Sequence, residues 1–159
     1  MKYFTIAELT KSDTANRLGI GNTPSVTETA NLMALVNYVL DPLREAFGSP
    51  ISVSSGFRSS KHNSAVGGSK TSDHSKGCAA DIYATKFRDV ADMRKKNLTL
   101  FQWIIENCKY NQVIWEKGSA DGPQWVHVAY HSDGTNKMQI LRTIDGKTYY
   151  NCDKNGKKI

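Results

Sequence analysis

Cysteine, long apolar runs and internal repeats are scarce or missing in this chain, and each absence argues against a class of protein. The three cysteines, Cys78, Cys108 and Cys152, are an odd number without CxxC spacing, which argues against a disulfide framework and favours a reducing compartment. No segment approaches the roughly 20 apolar residues of a membrane span. The N-terminal segment also lacks the apolar core of a signal peptide. We therefore expect synthesis in the cytoplasm and no insertion into a membrane.

The composition is that of one ordinary globular domain with a basic surface. Of the 159 residues, 39% are hydrophobic and 23% are charged, and no linker divides the chain. We predict a single domain over residues 1–159 that acts as a monomer, with a flexible basic tail at about 153–159. The net charge of +6 attracts anionic polymers, including nucleic acid, acidic membranes and bacterial wall polymers. No nucleic-acid recognition motif is present, so no specific nucleic-acid partner is expected.

Apolar periodicity predicts an α+β fold, with helices in the first part and a strand meander in the second. Apolar residues three or four apart over 24–47 indicate a helix that Pro42 either kinks or continues as the start of its last turn. A second helix is predicted at Val90–Asn107, and Asp145-Gly146 has the composition of a two-residue hairpin turn. The N-terminal helices should pack on a small, mainly antiparallel sheet that carries the functional site. The predicted strands are 51–53, 78–83, 111–116, 124–130, 138–143 and about 147–151.

Two histidines and one aspartate form a candidate metal site. Asp81 lies between Ala80 and Ile82 in an apolar strand, where a buried carboxylate needs a cation or several hydrogen-bond donors to compensate it. His74 precedes it in a Ser/Gly/Lys-rich loop, and His127 lies in the alternating strand WVHVAY. Taken singly, each histidine is more often a solvated or core side chain than a ligand. Together, two imidazoles and one carboxylate would hold one zinc ion, with a water as the fourth ligand.

The segments SGFRSS, SDHSKGCAADI, QVIWE and WVHVAY together resemble the zinc D-Ala-D-Ala carboxypeptidase-like (M15) peptidases, close to the branch found in phages and bacterial genomes. The family pattern is SGxR, then SxHxxGxAxD, then a histidine on a strand. Residues 55–58, residues 72–81 and His127 match it, and the resemblance extends over the chain to about residue 143. It implies that His74, Asp81 and His127 bind the metal and that the protein hydrolyses peptide bonds. The hedgehog signalling domain is a more distant relative.

The resemblance also implies roles for residues beside the metal. Arg58 is expected to bind a substrate carboxylate and to stabilise the oxyanion, since a guanidinium donates two parallel hydrogen bonds. Some family members carry the catalytic carboxylate three residues before the last histidine. This chain has Gln124 there, and an amide cannot take a proton from water at neutral pH. We predict Glu116 as the general base, because its strand should pair with the strand of His127, and Asp121 as the alternative.

Other residues are candidates for contact with the substrate. Ser72, two residues before His74, would either hydrogen-bond near the site or cap its loop. Trp125 lies on the same face of its strand as His127 and would either wall the cleft or pack in the core. His131 would share that face if the strand continued so far.

We interpret the chain as a zinc-dependent peptidase that cuts peptidoglycan stem peptides. The cut would be that of a D-Ala-D-Ala carboxypeptidase or of an L-Ala-D-Glu endopeptidase. The missing signal peptide and the basic surface fit a phage endolysin that is released to the cell wall of the host. The alternative is a non-catalytic, zinc-containing binding or structural module, such as a phage structural component, and Gln124 keeps that alternative open.

Overall fold

Six strands form one sheet in the order β1-β2-β4-β3-β5-β6 in the computed structural model, which describes residues 1–159. All neighbouring strands are antiparallel except β3 and β5, which run parallel. The predicted α+β class and the mainly antiparallel sheet are therefore confirmed. The strands are β1 (Ile51–Ser55), β2 (Ala79–Ala84), β3 (Gln112–Glu116), β4 (Trp125–Ala129), β5 (Gln139–Thr143) and β6 (Tyr149–Asn151).

The helices lie mostly in the first two thirds of the chain, and their ends follow ordinary capping chemistry. The third helix, for example, begins after Ser25, whose hydroxyl accepts from the Glu28 N–H while the Glu28 carboxylate accepts from the Ser25 N–H. No helix is both long enough and apolar enough to cross a membrane. The helices are α1 (Ile6–Thr10), α2 (Asp13–Leu18), α3 (Val26–Leu35), α4 (Asp41–Phe47), α5 (Ser60–Ala65) and α6 (Val90–Asn107), with a 3₁₀ turn at Asp73–Lys76.

The helix predicted over 24–47 contains a π-helical segment, Val36–Leu40, between α3 and α4. Pro42 has no N–H to donate, and in an unbroken α-helix its ring would press on the carbonyl of residue 38. The wider π turn lies immediately before it, and Pro42 then occupies the first turn of α4, where no donor is needed. Of the two predicted roles for Pro42, starting the last helical segment is the correct one.

The hydrophobic core lies between the helices and one face of the sheet. Side chains on β3 and β4 alternate, so that Trp115 and Val126 are fully buried on the helix face while Glu116 and His127 lie on the other. The ring of Trp115 meets Phe101 of α6 edge-on, with centroids 5.6 Å apart. Asn97, also buried on α6, donates to the carbonyls of residues 123 and 124 and accepts from the N–H of residue 84. Helix α6 therefore fixes the ends of β2 and β4 relative to each other.

Two predicted features near the C-terminus differ from the structure. The β5–β6 hairpin exists, but its loop covers residues 144–148, because the Asp145 carboxylate accepts from the N–H groups of residues 147 and 148 and holds them out of the strand. Residues 153–159 were expected to be a flexible tail. Instead, the Gly156 carbonyl accepts from Arg142, the N–H of Ile159 donates to Asn151, and the backbone of Gly156 lies against Trp115. A flat indole and a side chain-free glycine can approach closely, and this contact packs the chain end.

Candidate metal centre

The register of the sheet places Asp81 and His127 side by side. Asp81 on β2 pairs directly with His127 on β4, and directly paired residues point to the same face of a sheet. The Asp81 Oδ1 atom lies 2.9 Å from His127 Nδ1. The predicted neighbour relation between these two residues is therefore a consequence of strand pairing.

His74 reaches the same point from the 3₁₀ turn Asp73–Lys76. Its side chain is buried, and its Nδ1 lies 2.7 Å from the carbonyl oxygen of Gly56. Because a carbonyl only accepts, Nδ1 carries the proton and donates, which leaves Nε2 as the free lone pair. That Nε2 lies 3.4 Å from Asp81 Oδ1. The Gly56 carbonyl therefore sets the tautomer and the orientation that a metal ligand needs.

Two glycines of the sequence motif allow the close approach of backbone segments around His74. A Cβ on Gly56 would lie 2.2 Å from the carbonyl oxygen of Leu9 in α1, and the next N–H, of Phe57, donates to that same oxygen. Gly77 ends the 3₁₀ turn with φ +70°, and a Cβ there would lie 2.3 Å from the carbonyl oxygen of Glu28 in α3. Both sites exclude a side chain, so the glycines hold the loop of His74 against the helical layer.

The three side chains fit a metal ion by their donor set and protonation. One ligand atom each from His74, Asp81 and His127 lie within 4.8 Å of one another. Burial would raise the pKa of Asp81, but the two imidazoles hold that pKa well below its usual range, and burial lowers the pKa of His74. An ionised carboxylate and a neutral imidazole are the forms that coordinate a metal. This set of two nitrogens and one oxygen is one that zinc accepts.

Arg58 lies beside the three side chains. Its N–H donates to the His74 carbonyl at 3.2 Å, so its backbone is tied to the 3₁₀ turn. Burial lowers the pKa of Arg58, and the negative charge of Asp81 opposes that shift. Its buried Nε has no hydrogen-bond partner. A half-buried guanidinium with an unused donor next to a carboxylate is suited to bind an anionic oxygen.

Glu116 lies on the same sheet face as Asp81 and His127. It pairs directly with Trp125 on β4, while His127 pairs with Ile114, two residues earlier on β3. The side chain is 8% exposed. Burial raises the pKa of Glu116 to about 7; the neighbouring His127 opposes that rise, and the negative charge of Asp81 adds to it. A carboxyl group that titrates near neutrality beside a candidate metal site has the properties of a general base.

Gln124 faces the other way. Its Oε1 lies 3.4 Å from Arg94 Nη2 on α6, and its N–H donates to the Glu116 carbonyl. The residue three places before His127 therefore belongs to the contact between the sheet and the helix. Asp121, the alternative base, lies in the exposed turn between β3 and β4.

The structure also places the remaining candidates. Ser72 caps the 3₁₀ turn, since its hydroxyl accepts from the His74 N–H at 3.3 Å, so the capping role is present. Trp125 is half-buried on the sheet face that carries Asp81 and His127, which we call the metal face. It lies under Lys117, whose Nζ is 5.6 Å from the ring centroid. His131 lies beyond the end of β4, and its Nε2 is 3.0 Å from the carboxylate of Asp73. His131 thus braces the turn of His74 from outside.

Two residues near Glu116 were not found from the sequence. Lys117 has a φ of +53°, which few residues other than glycine adopt, and Tyr149 on β6 has a pKa raised first by burial and then by the charges of Glu116 and Asp81. The sequence signal for Lys117 is weak, because only the glycine that follows it suggests an irregular backbone. Tyr149 has no local signal, since its position depends on the pairing of β5 with β3.

A family model described as Peptidase M15 matches residues 2–129 of the chain. The match includes all three candidate ligands and ends at the last residue of β4. It leaves β5, β6 and the packed chain end outside. No curated protein matches the chain.

Proposed function

The chain belongs to the M15 peptidase family, whose members are metallopeptidases, and we propose that it hydrolyses peptidoglycan stem peptides with one zinc ion as cofactor. The observation that carries this proposal is the arrangement of five side chains. His74, Asp81 and His127 can hold a metal ion, while Glu116 shares their sheet face and Arg58 lies beside them. This is the set of groups that metal-assisted hydrolysis requires.

The zinc ion would be held by His74 Nε2, Asp81 Oδ1 and His127 Nδ1, the three atoms that face one another. When bound, zinc supplies a Lewis acid that polarises the scissile carbonyl and lowers the pKa of a water. Gly56 keeps His74 in the coordinating tautomer, and the pairing of β2 with β4 keeps Asp81 beside His127.

Glu116 is the proposed general base, and Arg58 is the proposed oxyanion stabiliser. The Glu116 carboxylate takes one proton from the attacking water as the new carbon–oxygen bond forms, and it passes that proton to the amide nitrogen as the carbon–nitrogen bond breaks. Arg58 donates to the oxygen of the tetrahedral intermediate, where negative charge develops. Asp121 is the weaker alternative, because an exposed turn gives neither the burial nor the neighbours that tune a base.

The substrate class rests on the family resemblance and on charge. A net charge of +6 favours association with the anionic polymers of a bacterial wall. Both stem-peptide cuts, between two D-Ala residues and between L-Ala and D-Glu, suit this site. We further propose that the protein is a phage lysin that is made in the cytoplasm and released to the host cell wall.

Metal analysis coupled to mass spectrometry of digested peptidoglycan tests the proposal. Wild type should contain one zinc ion per chain and release a defined product. Glu116→Gln should retain the zinc while its rate falls by about 10²–10⁴-fold, the usual contribution of a general base. His127→Ala should lose both zinc and activity.

The non-catalytic alternative gives a different result. Its support is Gln124 at the place of the base, and the contact of Gln124 with Arg94 speaks against that support, because this residue faces the helix. A zinc-containing wild type that leaves all muropeptides uncut would favour the binding module over the enzyme.

A further inference from the structure

Lys117 interrupts the alternation of β3 directly after the proposed base. In a regular strand its side chain would point to the helix face, opposite to Glu116. Its left-handed backbone instead brings Nζ over Trp125, the residue that pairs with Glu116 on the metal face. Two contacts hold this backbone, since the Lys117 N–H donates to the Thr143 carbonyl at 2.8 Å and its carbonyl accepts from Trp115 Nε1 at 2.9 Å. Glu116 and Lys117 therefore lie on the same side of the sheet.

Such a backbone is costly for a lysine, and costly conformations concentrate at functional sites. Lys117 forms no ion pair with any carboxylate of the chain, although Glu116 is its neighbour in sequence and feels its positive charge. Its side chain runs against Gly146 in the β5–β6 loop, where an added Cβ would lie 3.0 Å from Lys117 Cε. The cation is thus held over the Trp125 ring without a carboxylate partner.

Tyr149 continues the same row of residues across the sheet. Glu116 pairs with Thr143 on β5, and Thr143 pairs with Tyr149 on β6, so all three side chains point to the metal face. Tyr149 is 45% exposed, and its hydroxyl makes only a long contact, 3.4 Å, with the Gly146 carbonyl. Burial raises the pKa of Tyr149, and the negative charges of Glu116 and Asp81 add to that rise, so the phenol stays a neutral donor.

The candidate metal ligands of the sheet, Asp81 on β2 and His127 on β4, have a cation on each side. Arg58 follows β1, the neighbour of β2, whereas Lys117 follows β3, the neighbour of β4. A general base returns its proton to the leaving amine, so the leaving half of the substrate lies on the Glu116 side. That half would face the Lys117 ammonium group, which has no carboxylate partner, and the phenolic donor of Tyr149.

We propose that Lys117 Nζ and the Tyr149 hydroxyl form a subsite for a free carboxylate on the leaving half of the substrate. This inference rests on the proposed peptidase function. With this subsite, Arg58 is needed only to stabilise the oxyanion. The subsite fits both proposed cuts, between two D-Ala residues and between L-Ala and D-Glu. The leaving residue carries its C-terminal carboxylate in one case, and the α-carboxylate of a γ-linked D-glutamate in the other.

Pairs of substrates that differ only at this carboxylate test the subsite. One pair is a stem tripeptide that ends in D-Ala-D-Ala, as free acid and as carboxamide. The other is a tripeptide with L-Ala-D-Glu, with the glutamate α-carboxyl free or amidated. Wild type should prefer the acid of the pair that it cuts by about tenfold or more in kcat/KM, as expected for a charge-assisted contact. Lys117→Met should abolish most of that preference, and Tyr149→Phe should reduce it.

The ratio of acid to amide separates binding from other effects of the substitution. Lys117 also acts on Glu116, but any change in the base affects acid and amide alike and leaves the ratio unchanged. Lys95→Met is the matched control, because it removes the same charge from the exposed surface of α6, on the helix side of the sheet. This variant should keep the wild-type ratio of acid to amide. An unchanged ratio in Lys117→Met would overturn the subsite while the peptidase proposal stands.

A binding measurement keeps the inference testable without turnover. Calorimetry with zinc-loaded Glu116→Gln gives the Kd of the same acids and amides, with and without Lys117→Met. The acids should bind about tenfold more tightly, and only when Lys117 is present. Equal Kd values for acid and amide, or no binding of either, would reject the subsite. Wild type that cuts no peptide while Glu116→Gln still shows this difference would reject the enzyme and retain the subsite.

Discussion

Replacement of Glu116 by glutamine should stabilise the metal-free protein, and the gain should grow as the pH rises. Burial raises the pKa of Glu116 from its ordinary value of 4.5 to about 7. Between these two values the unfolded chain has released the proton while the folded protein keeps it. The folded state therefore binds more protons than the unfolded state, and the free energy of unfolding falls as the pH rises.

The magnitude follows from the difference between the two pKa values. At ~1.36 kcal/mol for each pH unit, the difference between 4.5 and about 7 gives an upper limit of about 3 kcal/mol. Residual solvation of the carboxylate reduces the effect, so we expect about 2 kcal/mol. Glutamine has nearly the same shape and carries no charge at any pH, so the variant does not lose this stability.

Urea unfolding of EDTA-treated protein at pH 5 and pH 8 measures the effect. The advantage of Glu116→Gln over wild type should be about 2 kcal/mol larger at pH 8 than at pH 5. Glu106→Gln, which removes an exposed carboxylate paired with Lys154, should change stability by less than about 1 kcal/mol at either pH. Parallel pH profiles for wild type and Glu116→Gln would refute the assignment of a raised pKa to this carboxyl group.

Three further predictions concern the fold and the choice of base. Gly77→Ala should destabilise the protein by at least about 1 kcal/mol more than Gly134→Ala. Both residues have positive φ, but only at Gly77 would the added Cβ lie 2.3 Å from a backbone oxygen. Thermal unfolding measures the difference, and equal losses of stability would contradict the prediction. Removal of residues 153–159 should lower the Tm and red-shift tryptophan fluorescence, whereas a flexible tail would leave both unchanged. Gln124→Glu should not restore muropeptide hydrolysis to Glu116→Gln, and restored activity in the double variant would refute our assignment of faces.

Part of the candidate metal site could be predicted because the information for it is local. Strand alternation fixes which residues share a face, and the antiparallel pairing of QVIWE with QWVHVAY is a short-range hairpin. Both follow from residue types within twenty positions, and they correctly place Glu116 on the face of His127. The spacing of His74 and Asp81 is equally local, whereas the strand pairing that sets Asp81 beside His127 joins residues 46 positions apart.

The positions of Tyr149 and of the chain end could not be predicted, because they depend on long-range packing. The strand β5 joins the sheet parallel to β3, although it follows β4 in the chain. This crossover brings Tyr149 into line with Glu116. The contact of Gly156 with Trp115 and Arg142, which packs the chain end, likewise joins segments distant in sequence. The lysine-rich composition of residues 153–159 indicates a solvated tail instead. Neither arrangement has a periodic signal.

The alternation of side chains along β4 explains why the proposed base lies on another strand. In a regular strand, residues two apart share a face and residues three apart lie on opposite faces, so a carboxylate three places before His127 reaches the metal only if the strand is irregular. Here β4 begins at Trp125, and the residue before it, Gln124, is bonded to Arg94 on the helix side. A glutamate at position 124 would therefore meet a guanidinium instead of the substrate. On the neighbouring strand, Glu116 lies on the face of Asp81 and His127, so the proposed base and two of the candidate ligands share a face through the pairing of adjacent strands.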